Sequence, residues 1–199
     1  MQNRFVHLHL HTEYSLVDGI VRIEPLSGRA AADKAPALAV TEYGNLFSLV
    51  KFYRGMQQQG IKPVIGAELR LHEDESDRET SNIVLLCQNY AGYRNLSHLI
   101  TRSYLEGQHQ GTPHIQREWL PNHTEGLIAL SAARDGNIGR ALINRNAAAA
   151  ERYLEEWLSL FPDRFYLELQ RTGRQHENLY IDEAIKLAGA FSVPVVATN

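Results

Sequence analysis

Apolar and polar positions change period along this chain. In "FVHLHL" they alternate residue by residue, which predicts a strand. "PLSGRAAADK" then predicts a helix with Pro25 in its first turn, where a missing N–H costs nothing. "ALAVTE" predicts a short buried strand. Leu46, Leu49, Val50 and Tyr53 recur at helical spacing, and that helix stops at Gly60. "KPVIGAELRL" predicts a third strand, interrupted by Gly66, and "NIVLLC" a fourth. The acidic run between them, "HEDESDRET", predicts a solvated loop. Tyr93, Leu96, Ile100 and Tyr104 mark the next helix face.

From Gly107 to Pro121 the chain reads as loop. "GLIALS" predicts a fifth strand, "NIGRALI" a short helix and "AAAAERYLEEWLSLF" a strongly amphipathic one. "DRFYLELQ" is a sixth strand, Ile181, Ala184, Ile185 and Ala188 line a further helix, and "VPVVATN" is a seventh strand. Seven strands separated mostly by helices predict an α/β fold with parallel strands. The rhythm suits a barrel better than a doubly wound sheet, and no Gly-x-Gly-x-x-Gly turn follows the first strand. The expected organisation is one domain over residues 1–199, cut within or just after its last strand. A barrel gathers its reactive groups at the C-terminal ends of its strands. That places His9 and His11 together with Glu42, Tyr43 and the stretch from Ser131 to Ala133.

The bulk numbers narrow the chemistry. The 199 residues suffice for one sizeable core. With 44% hydrophobic and 22% charged residues, the composition is that of a soluble globular protein. A formal charge of −3 argues against tight phosphate-backbone binding. Cys87 is the single cysteine, so no internal disulfide forms, and a reducing cytoplasm fits. Neither a secretory leader nor a bilayer-spanning apolar run is visible.

On an uninterrupted strand, His7, His9 and His11 share one face. Neutral imidazole is a common metal ligand, and a His-x-His pair can place two nitrogens on one ion. A hydrated polar strand face explains the same spacing. Asp18 and Glu68 are candidate oxygen ligands from other strand ends, or alternatively a turn residue and a strand-edge carboxylate. Elsewhere blander readings hold. Trp157 is expected in the core and His98 in a structural role. His109, His114 and His123 sit in the long loop without ligand spacing. His176 is expected near a helix N-terminus, and Cys87 as a small buried hydrophobe.

Six segments occur in order: "HLHLHTEYSLVDG", "ALAVTEYGNLFSLVKFY", "GIKPVIGAEL", "GYRNLSHLIT", "EGLIALSAARDGNIG" and "PVVATN". Together they resemble the N-terminal PHP (polymerase and histidinol phosphatase) domain of bacterial DNA polymerase III alpha subunits, over essentially the whole chain. "FPDRFYLELQRTGRQHE" is similar to the proteobacterial versions. The resemblance implies a distorted seven-stranded (β/α) barrel of PHP type. Fully equipped members hold up to three metal ions through nine ligands and hydrolyse phosphoesters; some act as 3′–5′ exonucleases. Others have lost ligands and instead support the polymerase and dock a separate proofreading exonuclease subunit.

Carried over residue by residue, the resemblance implies metal ligands at His9, His11, Asp18 and Glu68. At three further ligand positions this chain has Tyr43, Asn82 and Ala133, with Glu42 in place of the aspartate before the first. The last two ligands fall beyond Asn199. Alanine coordinates nothing, and tyrosine and asparagine replace imidazole poorly at neutral pH. The expectation is a catalytically degenerate scaffold with no catalytic residues. It holds no metal at full occupancy, or one residual divalent ion (Zn, Mn or Fe), and Mg belongs to the parent polymerase domain. The expected partners are the remainder of the alpha subunit and the proofreading exonuclease subunit, with DNA reached through the parent holoenzyme and no membrane contact. The parent is a cytoplasmic DNA-directed DNA polymerase, a nucleotidyltransferase. The alternative is an active metal-dependent phosphoesterase or 3′–5′ exonuclease. A metal-dependent amidohydrolase also carries His-x-His after strand one, but expects histidines where this chain reads "SAAR" and "LQRTG".

Overall fold

The computed structural model describes residues 5–16, 19–72 and 80–198. Its strands are β1 (Ala37–Tyr43), β2 (Lys62–His72), β3 (Thr80–Cys87), β4 (Gln108–His109), β5 (Thr112–Pro113), β6 (Ile115–Gln116), β7 (Leu127–Leu130), β8 (Phe165–Gln170) and β9 (Val195–Thr198). Its helices are α1 (Ile23–Ala32), α2 (Leu49–Gln58), α3 (Tyr90–Leu105), α4 (Asn137–Ile143), α5 (Ala147–Leu160) and α6 (Glu177–Phe191). The main sheet runs β1-β2-β3-β7-β8-β9, with β6 paired to β2, and curls into a half-barrel. It has seven strands, as expected, but the short β6 takes the place counted for "FVHLHL".

Residues 5–10 run beside β1 without joining the ladder, and the chain bends at His9. Ala39 N–H donates to the His7 carbonyl and Thr41 N–H to the Leu10 carbonyl, each at 2.9 Å. Three steps on this segment therefore face two on β1, a bulge that breaks strict alternation. Leu10 N–H turns to the Thr41 hydroxyl at 2.8 Å instead of a backbone carbonyl.

The all-parallel expectation needs correction. β1–β2, β7–β8 and β8–β9 are parallel, but β3 is antiparallel to both β2 and β7. Only residues 73–79 separate β2 from β3, and a parallel return needs a crossover of a dozen or more residues. Because β3 is reversed, its first residues lie beside the C-terminal ends of β1 and β2.

Alternation along the strands sorts side chains onto two faces. Leu69, Leu71, Ile83, Leu85, Phe165 and Leu167 point outward into a large apolar layer under α3, α5 and α6. Val84, Leu86 and Leu130 point inward, joined by Leu8, Tyr166 and Val196. In α5, Leu154 and Trp157 face the core, as the periodicity predicts, and Trp157 is 1% exposed. The face read for α2 is displaced: Phe52 and Met56 are buried, while Val50 and Tyr53 are exposed. In α3 the buried stripe is Leu96 and Leu99, leaving Tyr93 and Tyr104 at the surface. Apolar spacing defined both helices, but long amphipathic tyrosines satisfy it from the boundary of the buried face. The stretch after Gly107 is not all loop: it carries β4, β5 and β6 and a 3₁₀ turn over Arg117–Asn122. Among the described residues no helix is long and apolar enough to cross a membrane.

Candidate metal centre

Inward-facing polar residues meet where the C-terminal ends of β2, β8 and β9 adjoin the start of β3. Glu68 and Arg70 alternate with outward Ala67 and Leu69 on β2. Asn82 stands beside them because β3 pairs Arg70 with Asn82 and Glu68 with Val84. His9 and His11 arrive from the bulged segment. Their nitrogens and a Glu68 carboxylate oxygen all lie within 4.8 Å of one another. His7 is not in this group and packs instead against the Phe5 ring at 4.7 Å. The bulge between His7 and Leu10 accounts for the separation. The group opens on a cleft of about 850 Å³ that is also lined by Tyr43, Asn82, Arg70 and Arg174.

The bonds inside the group are short. His9 Nε2 lies 3.0 Å from Glu68 Oε2, and His11 Nε2 lies 2.8 Å from the same oxygen. His9 Nδ1 reaches Glu168 Oε1 at 2.7 Å. Burial disfavours a charged His9 ring, yet the Glu168 and Glu68 carboxylates outweigh it and hold that histidine protonated well above its ordinary range. Burial acts on Glu68 in the opposite sense to its partners, and His9 and His11 prevail, keeping its carboxyl well below the usual range.

The substituted positions form a second half of the site. Asn82 Nδ2 donates to Glu68 Oε1 at 2.8 Å. Tyr43 OH donates to Asn82 Oδ1 at 3.3 Å and accepts from Arg70 Nε at 2.6 Å. The Arg70 guanidinium also lies 4.8 Å from the Tyr43 ring centre. Burial pushes the Tyr43 phenol up, against the pull of Arg70, so it remains a donor. Ala133 lies apart from the cleft, 1% exposed in the outward apolar layer. Its neighbour Ala132 lines the cleft, and both have left-handed backbone, at φ +54° and +47°. Asp18 lies outside the described residues.

Glu42, at the position before Tyr43, points away from the cleft. Fully buried, it accepts from Thr12 N–H at 3.0 Å, from the Thr12 hydroxyl, and from Ser15 Oγ at 2.6 Å. It thus ties down the turn that follows His11. Glu168 escaped the sequence reading altogether. The signal available was alternation in "FYLELQ", which puts Tyr166, Glu168 and Gln170 on the face opposite Phe165, Leu167 and Leu169.

The remaining histidines stand away from this centre. His98 stacks on His123 at 5.7 Å, and His176 occupies the N-cap of α6, as expected. His114 and His109 adjoin His72, with ring centres 4.4 Å and 5.7 Å from it. Cys87 is half-buried, and burial pushes its thiol up to about 12.

A divalent ion fits one part of this arrangement. Two imidazole nitrogens and a carboxylate oxygen are a common ligand set for zinc, manganese or iron. At the further ligand positions that the resemblance implies, Tyr43 and Asn82 are engaged with protein partners and Ala133 offers no side-chain donor.

The PHP domain family profile matches residues 7–172. DNA polymerase III subunit alpha of Pseudomonas fluorescens is 50% identical over 199 residues, all of this chain and 17% of the relative. The protein of the same name from Escherichia coli K12 is 44% identical over 196 residues, 98% of this chain and again 17% of the relative. The chain thus spans about a sixth of the length of these curated relatives. Among solved structures, a protein assigned as a metal-dependent phosphoesterase from Bifidobacterium adolescentis superposes with a TM-score of 0.67 at 11% identity. It covers 98% of this chain and 87% of that one. An amidohydrolase from Chromobacterium violaceum, solved with sulfate and without metal, gives 0.63 at 15% identity, covering 98% and 86%. At these identities the two structures show a shared fold only.

Proposed function

The chain belongs to the PHP domain family, and from that membership we propose that it is the catalytically degenerate PHP domain of a bacterial DNA polymerase III alpha subunit. In this reading it supports the remainder of the alpha subunit and docks the proofreading exonuclease subunit. It reaches DNA through the cytoplasmic holoenzyme, whose polymerase domain uses magnesium.

One observation carries the loss of catalysis. The run of bonds Arg70–Tyr43–Asn82–Glu68 occupies two positions where the family has histidine ligands and uses Glu68 Oε1 as an acceptor. Two-metal hydrolysis needs ions that position a hydroxide and stabilise the leaving oxygen. Here His9, His11 and Glu68 converge on one point. His9 and His11 would supply nitrogens and Glu68 an oxygen to a single zinc, manganese or iron ion, with Asp18 as a further ligand by family position. Such an ion supplies a Lewis acid for a phosphate oxygen. The protein's own part is to orient the two rings through Glu68 and to keep Tyr43 and Arg70 at the cleft wall.

Purified protein incubated with p-nitrophenyl phosphate or 3′-ended single-stranded DNA, with each of the three metals, is expected to show no turnover above the metal-only control. Turnover in proportion to bound metal would install the second reading, an active phosphoesterase or exonuclease. That reading is favoured by the surviving convergence of His9, His11 and Glu68 at the cleft. Docking has its own test. Chromatography with the exonuclease subunit of the same organism is expected to give a complex that survives the double change His9→Ala, His11→Ala. Separate elution of the two proteins would end the docking role.

A further inference from the structure

His9 has a second carboxylate partner that no family ligand position explains. Glu168 on β8 is 0% exposed. Its Oε1 accepts from His9 Nδ1 at 2.7 Å and from the Thr198 hydroxyl. Its backbone is fixed from two more elements: the N–H donates to Ser131 Oγ at 2.9 Å, and the carbonyl accepts from Tyr180 OH at 2.5 Å. Its other carboxylate oxygen, Oε2, is buried without a hydrogen bond among the described residues. Packing alone would favour an apolar side chain here, as at inward-facing Leu130 and Val196, because a half-satisfied buried carboxylate is costly.

We propose that Glu168 is a positioning residue that holds Nδ1 of His9 and thereby presents Nε2 of that ring to Glu68 and His11. The proposal rests on the reading of His9, His11 and Glu68 as a single-ion site. An imidazole has two nitrogens able to ligate, and a half-turn of the ring about its Cβ–Cγ bond puts a carbon where each nitrogen was. A ligating histidine usually gives its other N–H to a carboxylate, carbonyl or water, which fixes both tautomer and orientation. Here the two carboxylates grip opposite sides of one ring, Glu168 at 2.7 Å and Glu68 at 3.0 Å. Among the described residues, Glu168 is the group hydrogen-bonded to Nδ1, so its removal leaves that side of the ring unheld.

The test uses the 199-residue chain and its variants E168L, E168Q and T198V, with zinc as the probe. In the metal-free arm, nitrogen–proton NMR of the His9 ring is expected to show a strongly hydrogen-bonded Nδ1–H in the parent that disappears in E168L. In the zinc arm, titration calorimetry is expected to show about 10- to 100-fold weaker binding for E168L, the range typical of losing a ligand's supporting partner. E168Q, whose amide carbonyl can still accept from Nδ1–H, should recover part of that loss. Equal zinc affinity in the parent and folded E168L overturns the proposal. Absence of zinc binding by the parent overturns the single-ion reading instead. The metal-free arm then decides the orientation, an unchanged Nδ1–H signal in E168L refuting it. If E168L does not fold, E168Q and T198V decide: weaker zinc binding in both supports positioning, and parental affinity in both refutes it.

Discussion

The two faces of the sheet are held by different physics. Outward, Trp157 stacks parallel to Phe165 at 5.8 Å, lies 6.1 Å from Phe161 and donates its indole N–H to Asn137 at 3.0 Å. Inward, at the strand ends, Glu68 and Glu168 clamp His9 while Asn82, Tyr43 and Arg70 take up the adjoining polar groups. The outer face needs volume and an apolar pattern, which many side chains satisfy. The inner face needs each donor matched to an acceptor, so changing one member reassigns its neighbours. A barrel can therefore keep its outer layer while its centre is rebuilt, and likeness of fold says little about chemistry.

Truncating the outer layer should cost most. Trp157→Ala is expected to lose about 3–5 kcal/mol of unfolding free energy in urea, as for other buried aromatic truncations. Zinc affinity of the molecules that remain folded should not change. A parallel fall in affinity would erase the distinction between the faces.

Glu42→Gln comes next. The amide places an NH₂ among donors that now all point at carboxylate oxygens, a loss of about 1–3 kcal/mol. Because Glu42 ties the turn after His11, zinc binding should weaken along with stability, unlike the tryptophan variant. Thermal melts with and without zinc separate the two behaviours; equal zinc protection in the variant and its parent would count against this role.

Glu177 offers a pH-dependent comparison, because its carboxylate holds the turn through Thr172 and Gly173, at the cleft rim. It accepts from Thr172 N–H at 2.9 Å and Gly173 N–H at 2.8 Å. Chiefly through the Thr172 hydroxyl, its value falls from 4.5 to about 2. The stabilisation is therefore complete above pH 4.5 and disappears as pH falls from 4.5 towards 2. Relative to Glu177→Gln, the parent should be more stable at pH 6 and lose that advantage across this window. A gap that stays constant with pH would show that the contribution is not the carboxylate's charge.

The last comparison concerns Cys87, at the margin of the outer layer, and reads reactivity with no change in stability. With burial pushing its thiol up to about 12, alkylation by iodoacetamide at pH 8 should run about tenfold or more slower in folded than in unfolded protein. Comparable rates would mean that the thiol is not held in apolar surroundings.

Alternation and helical spacing determined which elements form. β1, β2, β3, β7, β8 and β9, and every α-helix, lie where those periods place them, because the periods record local backbone geometry. The family's motifs also picked out His9, His11 and Glu68, which do converge. Tertiary structure decided the rest. The reversal of β3 and the bulge before Leu10 arise from pairings that no local period contains. So do the exposure of Val50 and Tyr53 and the separation of His7 from its neighbours. Glu168 meets His9 across 159 residues of sequence, and Glu68 across 59. A carboxylate within a strand reads the same whether it faces water or a buried imidazole. Only the curl of the sheet, which brings β8 and β2 to opposite sides of one ring, distinguishes them.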